Sequence, residues 1–477
     1  MIDILFVQNY YEQMLGIMQI SAVLKQHGYS TAVSIGSDQK VIRDVLDKQP
    51  RIVGFYSTTG FHHKNLALAA QIKQKADYDL LILFGGPHPT FVPEVINSEG
   101  VDVICCGEGE YAVLELVQAL RSGTDYSLIH NLTVKSNGRI IKNPLRPLCD
   151  LDQLPFPDRE LYMDYDHIFN SKRQEVMLGR GCPFSCNFCS AAAYRELYQG
   201  VGRYVRLRSI DHVLLELANI RKQHNPSCFF FHDDTFTAGS TYCNEFLERY
   251  KQEIGLPFSC LLRADLVSDD FIGRLKDAGC YLVAFGVESG NQEMRATVLN
   301  KNITDEKLVW CAELLHRHNI PFATFNMVGL PGETLNQVWE TIELNVRLKP
   351  LWVWLSIYQT LPDTLLARYA LENGYIQSVD VTPADATFHE QSIILRQHHD
   401  GREIIRLKCC ANIVVKFPSL RGFVARVCRS SSLDKLLAFI EKSMYFTFYY
   451  RRLTYNMNFL EAVKSAFFIF RRLKEFS

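Results

Sequence analysis

Gly179-Arg180-Gly181-Cys182-Pro183-Phe184-Ser185-Cys186-Asn187-Phe188-Cys189-Ser190 places three thiols within eight residues, directly after the strand-like run Val176 to Gly179. The glycines let the backbone curl so that all three sulfurs face one centre. Soft thiolates at this density favour an iron–sulfur cluster or zinc over hard cations. Structural zinc prefers pairs of two-residue-spaced ligands closed by a fourth Cys or His, and no second pair of that kind occurs. Three ligands on a four-iron cluster leave one iron open, and an open iron can chelate the amino and carboxylate groups of a methionine moiety. Three inert buried thiols are the bland alternative, disfavoured by the loop position and the lack of a disulfide context.

Outward from this loop, residues 174–375 read as a βα series. The six strand candidates are Val176 to Gly179, Cys228 to His232, Ser259 to Arg263, Tyr281 to Val287, Phe322 to Val328 and Trp352 to Tyr358. Helical patterns such as Asp269 to Ala278 and Leu335 to Leu348 follow most of them. Such a series predicts an incomplete parallel (βα)6 barrel with its chemistry at the carboxyl ends of the strands.

Residues 1–145 form an earlier α/β pattern, with strand runs at Ile4 to Val7, Arg51 to Tyr56, Leu80 to Phe84 and Val101 to Cys105. The expectation is a doubly wound parallel sheet, whose ligands sit beyond the carboxyl ends of the strands. Three loops there are rich in small residues: Ser57-Thr58-Thr59-Gly60, Gly85-Gly86-Pro87-His88 and Gly107-Glu108-Gly109-Glu110. Tight turns need small residues in any such sheet, so each loop alone is weak. The Pro-containing stretch Leu151 to Asp158 reads as a surface connector within a linker over 146–173, and residues 376–477 read as mostly helical.

The thiol loop resembles the signature of the radical S-adenosylmethionine enzymes, Cys-x-x-x-Cys-x-aromatic-Cys, with Phe188 at the aromatic position. Phe285-Gly286-Val287-Glu288-Ser289-Gly290 and Gly329-Leu330-Pro331-Gly332-Glu333-Thr334 are similar to that family's fourth-strand and fifth-strand cofactor segments. Phe231 to Phe236 is similar to its second-strand turn. The resemblance implies that Cys182, Cys186 and Cys189 ligate a [4Fe-4S] cluster and that Phe188 lies near the adenine of S-adenosyl-L-methionine. It further implies that Glu288 and Ser289 approach the ribose or methionine, and that Gly329 and Glu333 frame the adenine. Asp233 and Asp234 are as readily a turn or helix cap as direct ligands.

A doubly wound domain with these loops ahead of such a barrel resembles the cobalamin-dependent branch of the family. The resemblance makes Ser57, Thr58, Gly85, Gly86, His88, Gly107 and Glu108 candidates for cobalamin contact, His88 being as suited to holding its loop. Many cobalamin domains carry a cobalt-ligating His after the first strand, but here that loop is Gln8 to Gln13, and no His precedes His27. Either cobalt lacks a lower histidine ligand or the domain has kept only the fold.

The implied function is a cobalamin-dependent C-methyltransferase acting on an unactivated carbon of a small-molecule biosynthetic intermediate. A radical cyclase or rearrangement enzyme and a non-catalytic redox-sensing cluster protein are the alternatives. The implied partners are the small-molecule substrate and an external electron donor such as flavodoxin or ferredoxin, with no nucleic acid. The extra first-domain cysteines of methylthiotransferases that act on transfer RNA have no counterpart, since Cys105 and Cys106 are adjacent and Cys149 lies in the linker.

Bulk properties agree with a folded, cytoplasmic enzyme. Hydrophobic residues make up 47% of the 477 residues and charged residues 22%, as in ordinary globular proteins. No signal-peptide pattern opens the chain, and apolar runs such as Ala466 to Phe470 are too short to span a bilayer. The formal charge of −1 conceals 15 Lys or Arg against 5 Asp or Glu from Gly401 onward. Met444 to Arg452 adds aromatics to this basic region, which either packs on the barrel or meets an acidic, lipid-like or membrane surface.

Overall fold

The computed structural model describes residues 2–236, 240–378, 392–430, 433–453 and 455. Two compact units divide the chain. Of the described residues, one comprises those up to Ser171 together with Tyr194–Arg206; the other comprises Lys172–Ala193 and those from Leu207 on.

In the first unit, β1 (Ile4–Gln8) is buried along its whole length, as a central strand covered on both faces must be. Its side chains alternate between two cores: Ile4 and Phe6 join one cluster with Ile17 and Val113, while Leu5 and Val7 join another with Val45 and Leu68. The remaining strands are β2 (Thr31–Ile35), β3 (Ile52–Tyr56), β4 (Leu81–Gly85), β5 (Val103–Cys105), β6 (Leu132–Ser136) and β7 (Arg139–Lys142). Their order in the sheet is β2-β1-β3-β4-β5-β6-β7. Pairing is parallel from β2 to β5 and antiparallel from β5 through β6 to β7. The wholly parallel sheet expected from the sequence is therefore corrected to a mixed one.

The turn between β6 and β7 is Asn137-Gly138, both at positive φ (50° and 74°), the two-residue connection that suits the twist of a hairpin. The stretch Leu151 to Asp158, expected to lie across the surface, is instead folded into this unit. Leu151 and Leu154 are buried in its core, Asp158 donates its backbone N–H to Met18 O at 3.0 Å, and Pro155 O accepts from Gln19 Nε2 at 2.6 Å. Apolar side chains at 151 and 154 find more burial there than a free linker would give them.

The second unit holds six parallel strands in sequential order: Arg173–Val176, Cys228–Phe231, Phe258–Leu262, Cys280–Glu288, Phe322–Val328 and Trp352–Ile357. This is the partial barrel. Its first strand runs Arg173–Val176 and meets the expected Val176 to Gly179 only at Val176. Phe229, Phe231, Phe246, Tyr250 and Phe258 fill the core between the second and third strands and the helix Ser240–Glu253, with ring centroids 5.2–5.8 Å apart wherever Phe231 or Tyr250 meets another of the group.

The edge strand Trp352–Ile357 is covered by the helix Gly401–Lys416. Asn412 accepts Val353 N–H and donates to Val353 O, both at 2.9 Å, so backbone groups that an open edge would leave unpaired are satisfied. Two cations of the basic region turn inward to carboxylates: Lys408 Nζ reaches Glu441 at 2.8 Å and Arg406 Nε reaches Asp434 at 2.5 Å. Tyr445 and Tyr449 pack on Trp354 at 5.2 and 5.6 Å between centroids. Residues 401–430 and 433–453 are mostly helical and largely a packed layer, and Ala466 to Phe470 lies outside the described residues. Among the described residues no helix is long and apolar enough to cross a membrane.

Candidate active site

The thiol loop follows the first barrel strand and is held from several sides. The buried carboxylate of Asp233, in the turn after the second strand, accepts the backbone N–H of Leu178 at 3.0 Å and of Gly179 at 2.9 Å. Asn187 donates from Nδ2 to Val298 O and from its backbone to Leu299 O, and Asn300 Nδ2 donates to Ser185 O at 2.8 Å. Asp233 thus has a loop-holding place here, and burial pushes its carboxyl up to about 7 against the lowering effect of the two N–H donors.

Cys186 is buried, while Cys182 and Cys189 are half-buried. Cys182 Sγ stands 3.7 Å from Thr235 Oγ1, and Cys186 Sγ accepts from Arg263 Nη1 at 3.7 Å. Burial pushes the Cys189 thiol up to about 12, with Asp234, Cys182 and Cys186 all near enough to add to the rise. Among the described residues no three His, Cys, Asp or Glu side chains converge tightly enough to hold a single metal ion. A four-iron cluster asks for something else, one thiolate on each of three irons. Three free thiols on one loop, one of them accepting from a guanidinium, fit that donor set.

The fourth-strand segment is strained where the resemblance puts cofactor contacts. A register shift between Gly286 and Glu288 leaves Glu288 at φ 69°, a conformation costly for a side chain with a Cβ. Glu288 Oε1 pairs with Lys301 Nζ at 2.9 Å, and Lys301 also donates to Gly286 O at 2.8 Å. A Cβ on Gly286 would stand 1.9 Å from Glu288 Oε1, so the ion pair requires glycine there. Ser289 is fully buried, and its carbonyl accepts from Arg295 Nη1 at 2.6 Å. Arg295 is itself fully buried, donating also to Ile303 O at 3.0 Å and pairing with Asp305.

After the fifth strand, Glu333 Oε2 accepts from Gly329 N–H at 2.7 Å and Leu330 N–H at 3.3 Å. Its Oε1 has no hydrogen-bond partner among the described residues, and burial pushes the carboxyl up to about 8. Glu333 therefore shapes the loop at Gly329, which stands at φ 74°. Phe188 packs against the apolar cluster containing Leu299, Leu330 and Tyr358.

In the first unit the three small-residue loops follow β3, β4 and β5. Ser57 is fully buried with its hydroxyl unpartnered among the described residues, and a Cβ on Gly86 would meet Ser57 O at 2.9 Å, whereas Gly85 faces open space. An orphaned hydroxyl beside a side-chain-free backbone suits close approach of a ligand such as the corrin or its tail. Thr58 bonds the Tyr10 hydroxyl. His88 is committed to its loop, 3.0 Å from Thr59 Oγ1 by Nδ1 and stacked on His62 at 3.8 Å, and burial lowers it to about 4, so it is neutral. Gly107 leaves room for the Tyr198 hydroxyl, which accepts Glu108 N–H at 2.8 Å, and the Glu108 carboxylate is paired with Arg206. In the loop after β1, Gln8 Nε2 donates to Glu12 O at 2.7 Å and Gln8 Oε1 accepts from the Tyr162 hydroxyl at 2.6 Å.

Arg263, Lys301 and Arg295 were not singled out from sequence. A charged residue immediately after a barrel strand was the available signal for Arg263; the other two sit in loop and helix positions that look like ordinary surface charges.

Fold and site together define a cluster-bearing partial barrel preceded by a corrinoid-type α/β unit. The B12 binding domain matches residues 3–117, and the radical SAM superfamily matches residues 176–344. The chain belongs to the radical S-adenosylmethionine enzymes that carry a cobalamin-binding domain, and its cofactors are the [4Fe-4S] cluster, S-adenosylmethionine and cobalamin. It is 27% identical over 378 residues to an uncharacterised methyltransferase of Pyrococcus horikoshii, covering 77% of this chain and 80% of the relative. It is 26% identical to an anaerobic magnesium-protoporphyrin IX monomethyl ester cyclase of Rubrivivax gelatinosus, covering 73% of this chain and 66% of that one. Among solved structures it shares its fold with the radical S-adenosylmethionine methyltransferase TsrM of Kitasatospora setae, at TM-score 0.63 and 16% identity over 78% of this chain and 76% of that chain. The cobalamin-dependent S-adenosylmethionine radical enzyme OxsB, without ligands, gives TM-score 0.64 and 15% identity over 100% of this chain and 76% of that chain.

Proposed function

We propose that this protein is a C-methyltransferase that acts on an unactivated carbon of a small-molecule biosynthetic intermediate. The observation that carries the reading is the three-thiol loop at the carboxyl end of the first barrel strand in a chain that also carries a B12 binding domain. When bound, the cluster supplies the electron that cleaves S-adenosylmethionine, and cobalamin supplies a carrier for the methyl group.

In this reading Cys182, Cys186 and Cys189 hold the cluster, and Asp233, Asn187 and Asn300 fix the loop that presents them. Glu288, kept in its strained conformation by Lys301, and Ser289 bind the ribose or methionine; Gly329, shaped by Glu333, frames the adenine beside Phe188. Ser57, Thr58, Gly85, Gly86 and Gly107 line the cobalamin contacts, with His88 and Glu108 holding their loops. The electron comes from an external one-electron donor of the flavodoxin or ferredoxin class. Peripheral membrane contact is a further part of the reading, supported by the exposed aromatics Phe417, Phe423 and Phe439 beside a basic sequence.

A radical cyclase on the same scaffold is the second reading, favoured by the likeness to the protoporphyrin ester cyclase. Anaerobic reconstitution followed by mass spectrometry of candidate products separates the two. Methylation adds one methyl group to the substrate, and cyclisation adds none. Absence of any 5′-deoxyadenosine or S-adenosylhomocysteine under reducing conditions would support the sensing alternative.

A further inference from the structure

Arg263 directly follows the third barrel strand, and its guanidinium is ion-paired and hydrogen-bonded within the second unit. Nε stands 2.8 Å from Asp265 Oδ1, and Nη2 donates to Asp265 Oδ2 at 3.5 Å. Nη1 donates to Cys186 Sγ at 3.7 Å, within the range of a hydrogen bond to sulfur. The guanidinium carbon lies 3.7 Å from the ring centroid of Phe184, which belongs to the thiol loop itself. Arg263 and Asp265 side chains are only 11% and 14% exposed, so water screens the arrangement little.

A planar fork held on one side by a carboxylate and on one face by an aromatic ring has little freedom left. Its remaining N–H groups are aimed rather than roaming. Cys186 is one of the three thiols assigned to the cluster, and it alone among them receives a charged donor that the described contacts record. Hydrogen bonds to cluster sulfurs and nearby positive charge favour the reduced cluster, which carries one more negative charge than the oxidised one.

We propose that Arg263 is a positioning residue that donates to the Cys186 thiolate of the bound cluster and raises its reduction potential, with Asp265 and Phe184 fixing the guanidinium. The inference rests on the cluster assignment made above. The step it tunes is a one-electron reduction: the cluster accepts a single electron from the external flavodoxin- or ferredoxin-class donor, and the donor is oxidised by one electron. No proton or bond is exchanged in that step.

The test is an anaerobic redox titration of the reconstituted full-length protein, read by electron paramagnetic resonance of the reduced cluster, with iron and sulfide counted on each sample. In Arg263→Gln, the ratio of reduced to oxidised cluster at the wild-type midpoint should fall about tenfold, or about 59 mV for one electron. Arg263→Lys, which keeps the charge without the fork, should recover part of that shift. A merely structural arginine would change cluster content and leave the midpoint of the retained cluster where it was, and that result overturns the proposal. Should Arg263→Gln hold no cluster, Phe184→Leu decides: a lowered midpoint upholds the proposal, and an unchanged one rejects it. Failure of the wild-type protein to bind any cluster would reject the functional reading itself, a different outcome from an unshifted midpoint.

Discussion

Asp233 accepts the backbone N–H of Gly179 at 2.9 Å and so fastens the turn after the second barrel strand to the start of the thiol loop. The same carboxylate takes the N–H of Leu178 at 3.0 Å. Removing it leaves two backbone donors without a partner in a buried place, each a loss of about 1–3 kcal/mol. Asp233→Ala should therefore lower stability by roughly 2–6 kcal/mol in urea unfolding and reduce the iron retained after reconstitution. Asp233→Asn keeps an acceptor and should cost less than half as much. Equal losses in the two variants would show that the carboxylate does not hold the loop.

Glu333 gives the pH dependence a definite sign. Its folded-state carboxyl is pushed up by burial from 4.5 to about 8. A group whose folded pKa is raised contributes stability that is fully present below its unfolded pKa and is lost as the pH rises through the folded value. Wild-type stability should thus decline between about pH 4.5 and pH 8 relative to Glu333→Gln, which stays neutral, by up to about 1.4 kcal/mol per pH unit. Unfolding of both proteins at pH 5.5 and 8 checks this. A difference that does not grow with pH would mean that the carboxyl is ionised at little cost.

Arg295 is fully buried and joins three partners: Ser289 O, Ile303 O and Asp305. Truncating one member of such a network strands the others, at a cost of roughly 3–5 kcal/mol. Arg295→Met should destabilise by that order in chemical denaturation, and it should weaken S-adenosylmethionine binding in calorimetry because Ser289 loses its anchor. A variant as stable as wild type would remove Arg295 from this account.

For cobalamin, the loop after β1 offers no imidazole, and both Gln8 side-chain atoms are spent on the loop and on Tyr162. Electron paramagnetic resonance of the cobalt(II) protein should lack the threefold splitting that one axial nitrogen imposes. A splitting that vanished in His88→Ala would show instead that the stacked His62 and His88 pair supplies the axial nitrogen.

Where the sequence was legible, the reason is repetition of pattern. Long apolar runs such as Phe322 to Val328 announced five of the six barrel strands, while the first, Arg173–Val176, is mostly polar and meets the expected run only at Val176. Three thiols on one loop pointed to the radical SAM core that the family model matches. β2 escaped because only Val33, Ser34 and Ile35 of its five residues are buried, so no apolar run stands out. The β6–β7 hairpin escaped although Asn137-Gly138 is its signal, because exposed Arg139 and Ile140 break the alternation. Leu151 and Leu154 read as linker because prolines surround them, and only the tertiary fold brings them into the core cluster that includes Ile17, Val113 and Leu161. Site charges are the hardest class. Arg263, Lys301 and Arg295 act through partners 77, 13 and 6 residues away, and no local pattern carries such pairings. Glu108 was expected among the cobalamin contacts, and the structure shows its carboxylate engaged by Arg206.

The central claim is that Cys182, Cys186 and Cys189 hold a cluster that cleaves S-adenosylmethionine. The most direct measurement is iron content and 5′-deoxyadenosine formation after anaerobic reconstitution with iron and sulfide, comparing wild type with each Cys→Ala variant and with Cys410→Ala as control. The account predicts about four irons per wild-type chain, loss of cluster and of 5′-deoxyadenosine in all three variants, and no loss in the control. Full cluster and undiminished 5′-deoxyadenosine in the three variants would contradict it.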